Sequence, residues 1–260
     1  MEAGKLQGSY VVPCGRCVEC LERRRSEWTF RIKQEWKEAE YAYFITLTLN
    51  DDYAERMDSG VTTLSKKILQ NYFKKIRKQA PNLRYYAVGE YGSSTRRAHY
   101  HGIIFNCPAD ILMDKWSQFG DPMGFVKVDP VNEATIHYVA GYVIEKYGDI
   151  DFKTGKTQKW TDEMLQPFAL MSKGLGKIYL KHAAKFHKSQ WTTTVTNEGG
   201  TKGNLPRYYR LKIFDEWQQK QISLDNLEKM IENELTPDQA RARKKAKLIN
   251  LKNKLKNKKL

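Results

Sequence analysis

The spacing of hydrophobic and polar residues predicts both helices and strands in this chain. Residues 21–39 form a charged segment in which Trp28, Ile32 and Trp36 stand four residues apart, as on the buried stripe of a helix. Residues 43–49 instead alternate between hydrophobic and polar positions and are rich in β-branched side chains, which is typical of a strand. The first fifth of the chain therefore predicts a helix followed by a strand.

The same analysis predicts a second helix and a hairpin in the next part of the chain. Apolar residues recur at helical spacing from Leu64 to Ile76, and Pro81 ends that pattern. Residues 83–90 and 98–105 both read as strands, and a polar loop joins them. A loop this short predicts that the two strands are antiparallel neighbours.

The remaining pattern favours a mixed fold. A short strand is expected near residues 124–128, and residues 150–205 look irregular and turn-rich. Because hairpins dominate and helices do not alternate strictly with strands, we expect an α+β fold with a mainly antiparallel central sheet flanked by helices. Thr236 and Gln239 have capping-box spacing with Pro237 between them, which predicts that the C-terminal tail begins as a helix.

Composition and charge narrow the class of protein. The 260 residues suffice for one large domain with a substantial core, and the net charge is +15. Ten Lys/Arg and no acidic residue lie in 241–260, so residues 1–240 carry only about +5. This basic tail is either a solvated end or a contact for nucleic acid. We find no secretory signal and no apolar run of membrane-spanning length, so we expect a soluble, intracellular protein.

Two histidines flank one aromatic residue in the second strand of the hairpin, in His99-Tyr100-His101. Because side chains alternate along a strand, His99 and His101 must project from one face and Tyr100 from the other. Closing the hairpin brings Glu90 across from the His99 region. Two imidazoles and one carboxylate can hold a divalent metal with positions open for a substrate phosphate. The alternative is a pair of hydrogen-bonded histidines on a half-buried strand.

A later helical segment carries two tyrosines four residues apart, Tyr138 and Tyr142, and Lys146 continues their row. On a helical wheel the aliphatic residues within 136–143 form one face, and the tyrosines border it. Attack by tyrosine on a phosphodiester preserves the bond energy in an ester, so that rejoining needs no ATP. The pairing of this helix with the histidine strand points to metal-assisted DNA cleavage by tyrosine. The alternative is that both rings merely cover the edge of the sheet.

Several motifs together resemble a known family, the replication initiation proteins of microviruses and in particular their gokushovirus branch. The likeness spans roughly residues 10–215. The motifs are Phe44-Ile45-Thr46-Leu47-Thr48-Leu49, Gly89-Glu90-Tyr91-Gly92, His99-Tyr100-His101, Tyr138-x-x-x-Tyr142-x-x-x-Lys146, Pro13-Cys14-Gly15-x-Cys17-x-x-Cys20, Leu170-Met171-Ser172-x-Gly174-Leu175-Gly176 and Leu205-Pro206-Arg207-Tyr208-Tyr209.

This resemblance implies the HUH endonuclease fold, a Rep-like and RRM-related arrangement with the metal histidines on a central strand. It implies that His99 and His101 bind Mg²⁺ or Mn²⁺, with Glu90 as the less secure third ligand. The paired tyrosines would be the nucleophiles, and the lysine that follows them would assist. The implied activity is that of an endonuclease and strand transferase that nicks phage DNA at the origin. It would form a 5′-phosphotyrosine intermediate, rejoin the strand and so initiate rolling-circle replication.

Three closely spaced cysteines near the N-terminus, Cys14, Cys17 and Cys20, have the spacing of a metal knuckle. Structural Zn²⁺ would need a fourth ligand, which Cys107 or a histidine could supply only through the fold. Reduced thiols without metal are the alternative. His182 and His187 have no acidic residue near them in the sequence, and we interpret both as surface residues.

These observations define an expected organisation and set of partners. We expect a Cys-rich segment at 1–22, an HUH endonuclease domain at 23–230 and a basic helical tail at 231–260. The expected partners are single-stranded and replicative-form DNA and host replication proteins, with no membrane, in the cytoplasm of a bacterial host. The alternatives are an HUH relaxase or transposase, or a non-catalytic protein that binds single-stranded nucleic acid.

Overall fold

A five-stranded antiparallel sheet forms the centre of the fold. A computed structural model describes residues 14–15, 17–92, 97–147, 164–197, 200–232, 236–239, 241–243, 245–246 and 249, without the side chains of 18, 143–147 and 229–232. The helices are α1 (Val18–Trp36), α2 (Lys66–Arg77), α3 (Ala109–Asp114), α4 (Glu133–Tyr147), α5 (Tyr179–Gln190), α6 (Arg207–Ile213) and α7 (Glu216–Glu232). The strands are β1 (Ala42–Thr48), β2 (Arg84–Tyr91), β3 (Ala98–Phe105), β4 (Ser117–Gln118), β5 (Asp121–Pro122), β6 (Val126–Pro130), β7 (Phe168–Met171), β8 (Thr194–Thr196) and β9 (Lys202–Asn204).

The strand order of the central sheet is β6-β1-β3-β2-β7, so β3 is its middle strand. It pairs with β2 through the predicted hairpin, in a register that sets Glu90 directly opposite His99. On its other side it pairs with β1, where Thr46 lies opposite His101 and Thr48 opposite His99. All pairings are antiparallel. The expected α+β class with a mainly antiparallel central sheet is therefore confirmed.

One face of the sheet packs against α2. Tyr72, Phe73 and Ile76 of this helix are fully buried, in agreement with the predicted stripe. Ser65 caps the helix, because its Oγ accepts a hydrogen bond from the Ile68 amide at 3.4 Å. Burial of these aromatic rings on the sheet supplies much of the hydrophobic stabilisation of this layer.

The opposite face packs against α1 and α4. Ile32 of α1 and Ile136, Val139 and Ala140 of α4 are fully buried in one cluster on this side. Trp28 packs against the same cluster, as its place in the predicted stripe requires. The aliphatic stripe of α4 thus anchors that helix over the sheet and fixes which of its side chains face the strands.

The region 164–205 is more regular than its sequence suggested. Residues 168–171 form the edge strand β7 against β2, and α5 and the β8–β9 hairpin follow. The prediction of an irregular stretch was wrong for this described part. A strand of four residues is too short to show a clear alternation, and its pairing with β2 is a long-range contact. The strand expected at 124–128 lies at Val126–Pro130 instead.

His187 is also a correction, since it is buried rather than on the surface. Its Nε2 lies 2.7 Å from the Tyr179 hydroxyl and its Nδ1 lies 2.8 Å from the Thr192 carbonyl oxygen. Both ring nitrogens are therefore satisfied within the fold, which is the usual state of a core histidine. His182 is exposed as expected, but its Nε2 lies 3.7 Å from Glu38, so an acidic partner is present after all.

The start of the tail has the predicted capping box. The Thr236 amide donates to Gln239 Oε1 at 3.0 Å, and the Gln239 amide donates to Thr236 Oγ1 at 3.3 Å. Both expected domain boundaries, 22/23 and 230/231, fall inside helices, α1 and α7 respectively. The division into three parts stays a prediction. Among the described residues, no helix is long and apolar enough to cross a membrane.

Candidate functional site

The two histidines of β3 project toward α4, on the face that also carries Ile103 and Phe105. His101 is only 8% exposed, whereas His99 lies closer to the open end of the strand and is partly exposed. Tyr100 points to the other face, where its hydroxyl accepts a hydrogen bond from the Ser65 amide at 2.9 Å. Burial raises the pKa of Tyr100 to about 12, so this phenol stays neutral and takes no part in the site.

His101 contacts one residue on each neighbouring strand. Its Nε2 lies 3.0 Å from Glu90 Oε1 on β2, and its Nδ1 lies 3.0 Å from Thr46 Oγ1 on β1. A neutral imidazole has one N–H and one lone pair, so it donates to the carboxylate and accepts from the hydroxyl. The threonine hydroxyl can also accept, which would allow the opposite tautomer. Glu90 and Thr46 thus hold the ring of His101 from both sides.

His99 contacts the backbone of the residue that precedes its own strand. Its Nδ1 lies 2.7 Å from the Arg97 carbonyl oxygen. With the proton on Nδ1, this contact leaves the Nε2 lone pair as the coordinating atom, which is the common arrangement in histidine ligands. The ligand atoms of His99, His101 and Glu90 are not all within 4.8 Å of one another, since among the described residues only a cysteine group meets that limit. In this structure the three candidate ligand atoms therefore do not converge on one point.

Helix α4 places both tyrosines directly over His101. The Tyr142 ring lies parallel to the imidazole with 5.7 Å between centroids, and its hydroxyl donates to Glu90 Oε1 at 2.8 Å. Tyr138 meets the His101 ring edge-on at 5.5 Å and the Tyr142 ring at 4.9 Å. The side chain of Lys146, the third catalytic candidate, lies outside the described residues. The structure thus brings the two phenols to the histidine strand, while their roles stay predictions.

Two residues of β1 that were not predicted as site residues also line this cluster. Phe44 stacks on His101 with 5.8 Å between centroids and meets Tyr138 edge-on at 6.0 Å. Thr46 holds Nδ1 of His101, as described above. The alternation of β1 already puts these two positions on one face. What the sequence lacked was the pairing of β1 with β3, which is a long-range contact.

Three cysteines near the start of α1 form a second cluster. The sulfur atoms of Cys14, Cys17 and Cys20 all lie within 4.8 Å of one another, so the group could hold a metal ion. The Cys17 amide donates to Cys14 Sγ at 3.2 Å. Cys107 does not join them, because it is fully buried in the core beneath α2. Among the described residues, no histidine or carboxylate completes the set as a fourth ligand.

The fold and this site define a class of protein by two features. Paired histidines lie on the middle strand of an antiparallel sheet, and a helix with two tyrosines covers that strand. Residues 42–147, from the start of β1 to the end of α4, match a family model of replication-associated proteins, the ORF2 family. The matched range contains all the residues proposed above for the metal and for catalysis, and it excludes the cysteine cluster.

Curated relatives extend the likeness beyond this range. The replication-associated protein ORF2 of Spiroplasma virus 4 is 28% identical over 80% of this chain and 69% of its own length. The replication-associated protein VP4 of Bdellovibrio phage phiMH2K is 26% identical over 90% of this chain and 77% of its own. A third relative, ORF4 of Chlamydia phage 1, is 25% identical over 78% of this chain and 54% of its own.

The chain is therefore similar to replication-associated proteins of microviruses, which confirms the resemblance drawn from its motifs. Among solved structures, the hypothetical protein ORF119 from Sulfolobus islandicus rod-shaped virus 1 is 20% identical. It covers 47% of this chain and 95% of its own, with a TM-score of 0.32.

Proposed function

We propose that this protein initiates rolling-circle replication as an HUH-type endonuclease and strand transferase with two tyrosine nucleophiles. The single observation that carries the proposal is the contact of the Tyr142 hydroxyl with Glu90 Oε1, the oxygen that also contacts His101. Glu90 would accept the proton of the nucleophile Tyr142, and the same oxygen contacts the candidate metal ligand His101. The similarity to replication-associated proteins supports the replication role, and the DNA chemistry is our inference.

Two of the three proposed donors could share a divalent metal. His101 Nε2 and Glu90 Oε1 are separated by 3.0 Å, and an imidazole beside a carboxylate is a common pair of metal ligands. His99 would supply the third position. Two imidazoles beside one carboxylate favour Mn²⁺ over Mg²⁺, which prefers oxygen ligands. When bound, the ion would polarise the scissile phosphate and neutralise charge that develops on its oxygens.

The protein's own residues would supply the nucleophile and take up its proton. The Tyr142 oxygen attacks the phosphorus, the P–O3′ bond breaks and a free 3′ hydroxyl leaves, with the 5′ phosphate now esterified to tyrosine. The phenolic proton passes toward Glu90, and the departing 3′ oxygen takes up a proton. Tyr138 then performs the second transfer by attacking the next phosphodiester. The 3′ hydroxyl it liberates attacks the phosphotyrosine ester, rejoins the strand and releases Tyr142.

Formation of a covalent adduct tests this proposal. The full-length protein is incubated with Mn²⁺ and single-stranded DNA that bears the origin, and the adduct is detected by its retarded migration in a denaturing gel. We expect an adduct with the native protein and none with the Tyr138→Phe/Tyr142→Phe double variant. Tyr41→Phe is the matched control, because Tyr41 is an exposed tyrosine outside the cluster and its variant should form adduct normally.

Two outcomes of this experiment would contradict the proposal. Salt-sensitive DNA binding without an adduct under any divalent cation would indicate a non-catalytic nucleic-acid-binding protein instead. An adduct that persists in the double variant would place the nucleophile elsewhere. The expected setting of the activity, with host replication proteins and replicative-form DNA in the bacterial cytoplasm, belongs to the same proposal.

A structural Zn²⁺ at Cys14, Cys17 and Cys20 is a separate proposal. The convergence of three sulfur atoms supports it, as does the amide contact to Cys14 Sγ. Tetrahedral zinc needs one more ligand, which the described residues do not supply. Metal analysis of the purified protein tests it, and a zinc content unchanged in a Cys17→Ser variant would contradict it.

A further inference from the structure

An exposed aromatic ring lies just before the edge strand β6, beside the candidate site. Phe125, the residue that precedes this strand, is 60% exposed. Val126 and Val128 pack against the core beneath α2, so alternation directs Lys127 to the opposite face of the sheet, and the same alternation continued by one residue assigns Phe125 to that face. That face is the one that bears His99 and His101.

The backbone at this position is held firmly against β1. The Thr48 amide donates to the Phe125 carbonyl oxygen at 3.0 Å, and the Phe125 amide donates to Thr48 Oγ1 at 3.2 Å. Gly124 permits the close approach, because its φ is 155° and a Cβ there would lie 2.3 Å from the Thr48 carbonyl oxygen. Phe125 is therefore an exposed ring on a fixed support.

The pairing of the strands shows where Phe125 lies relative to the candidate metal ligands. Thr48 lies opposite Phe125 on one side and is paired with His99 on the other. Neighbouring strands are about 4.8 Å apart, so β6 runs about 10 Å from β3. Lys127, on the same face, has a 60% exposed side chain that pairs with Asp129 at 2.9 Å. A hydrophobic ring and a cation thus border the site on its open side.

We propose that Phe125 stacks on an unpaired base of single-stranded DNA next to the phosphate that is cleaved, with Lys127 near the adjoining backbone. This inference rests on the proposed function. A large apolar ring fixed beside a phosphate-binding site suits a nucleotide, since every base presents a flat π-face and base–aromatic stacking tolerates any sequence. In a duplex the bases are already stacked on one another, so this contact selects single strands.

Binding without catalysis tests the inference. The full-length protein is titrated, in the presence of EDTA, against a labelled single strand of about 15 nucleotides and against the matching duplex. We expect Phe125→Ala to weaken single-strand binding about tenfold and to leave duplex binding unchanged. Phe125→Trp should restore the affinity.

Phe186→Ala is the matched control, because Phe186 is 58% exposed but lies on α5. It should bind like the native protein. Native-like affinity of Phe125→Ala, or an equal loss in Phe186→Ala, would overturn the inference. The adduct assay separates the two proposals. If DNA binding depends on Phe125 but no adduct forms, only the proposed endonuclease activity is contradicted. If an adduct forms but DNA binding does not depend on Phe125, only the proposed base stacking is contradicted.

Discussion

Replacement of Thr46 by valine gives the sharpest test of the candidate metal site. Valine has nearly the shape of threonine but lacks the hydroxyl that lies 3.0 Å from His101 Nδ1. When His101 coordinates through Nε2, its Nδ1 must carry the proton and needs an acceptor. In the variant that N–H would stay buried without a partner, because His101 is only 8% exposed. Thr46→Val should therefore weaken metal binding.

The size of the effect follows from the cost of an unsatisfied buried donor. Such a group costs about 1–3 kcal/mol. At about 1.4 kcal/mol for each factor of ten, the affinity for Mn²⁺ should fall about 5- to 100-fold. The same range is typical when an outer contact of a metal-bound histidine is removed. Without metal, the variant should lose only about 1 kcal/mol of unfolding free energy, since one modest hydrogen bond disappears.

Titration of Mn²⁺ into the DNA-free protein, followed by the electron paramagnetic resonance signal of the free ion, measures this affinity directly. Thr48→Val is the matched control. Thr48 lies on the same face of β1 and also makes a hydrogen bond, but its partner is the Phe125 amide rather than a histidine ring. We expect the control to bind Mn²⁺ like the native protein.

Equal Mn²⁺ affinity of Thr46→Val and the native protein would refute the role of Thr46. An equal loss in both threonine variants would show a general effect on β1 instead. If the native protein itself binds no Mn²⁺ or Mg²⁺, the whole ligand assignment of His99, His101 and Glu90 fails. In that case the alternative, hydrogen-bonded histidines on a half-buried strand, would describe the site.

Three more predictions follow from the same geometry. Tyr142→Phe should reduce first-strand nicking about 100-fold or more, whereas Tyr138→Phe should nick but fail in the second transfer, as single-turnover assays would show. Deletion of 241–260 should weaken DNA affinity without changing the nicking of bound DNA. In a salt titration, the slope of log K against log salt concentration should become shallower by about 0.7 for each lost phosphate contact. Gly124→Ala should lower the unfolding free energy by more than Gly60→Ala, because a Cβ meets backbone only at the former.

The central hairpin and its histidine strand could be predicted from local pattern alone. Residues 98–105 read as a strand, and side chains alternate along any strand, so the common face of His99 and His101 followed without long-range information. The polar loop before them fixed the partner strand, and with it the position of Glu90 opposite His99. These features depend on contacts between residues that are close in the sequence, and the local pattern is therefore sufficient to predict them.

Other features depend on contacts between distant parts of the chain. The role of Thr46 requires β1 to pair with β3, and the burial of His187 requires Tyr179 and the Thr192 carbonyl to close around its ring. Strand β7 consists of four residues and is defined by its pairing with β2. Local periodicity carries no information on which distant segments meet, so these elements were missed.

Glu90 is the residue that links the proposed metal ligand His101 to the proposed nucleophile Tyr142. His101 Nε2 and the Tyr142 hydroxyl both contact its Oε1, at 3.0 and 2.8 Å. Coordination would use lone pairs of His101 and Glu90, and so would replace only the first of these contacts. A carboxylate offers about four acceptor positions, so Glu90 can keep accepting from the phenol while it binds an ion. The hydrogen bond that orients Tyr142 is therefore compatible with an occupied metal site.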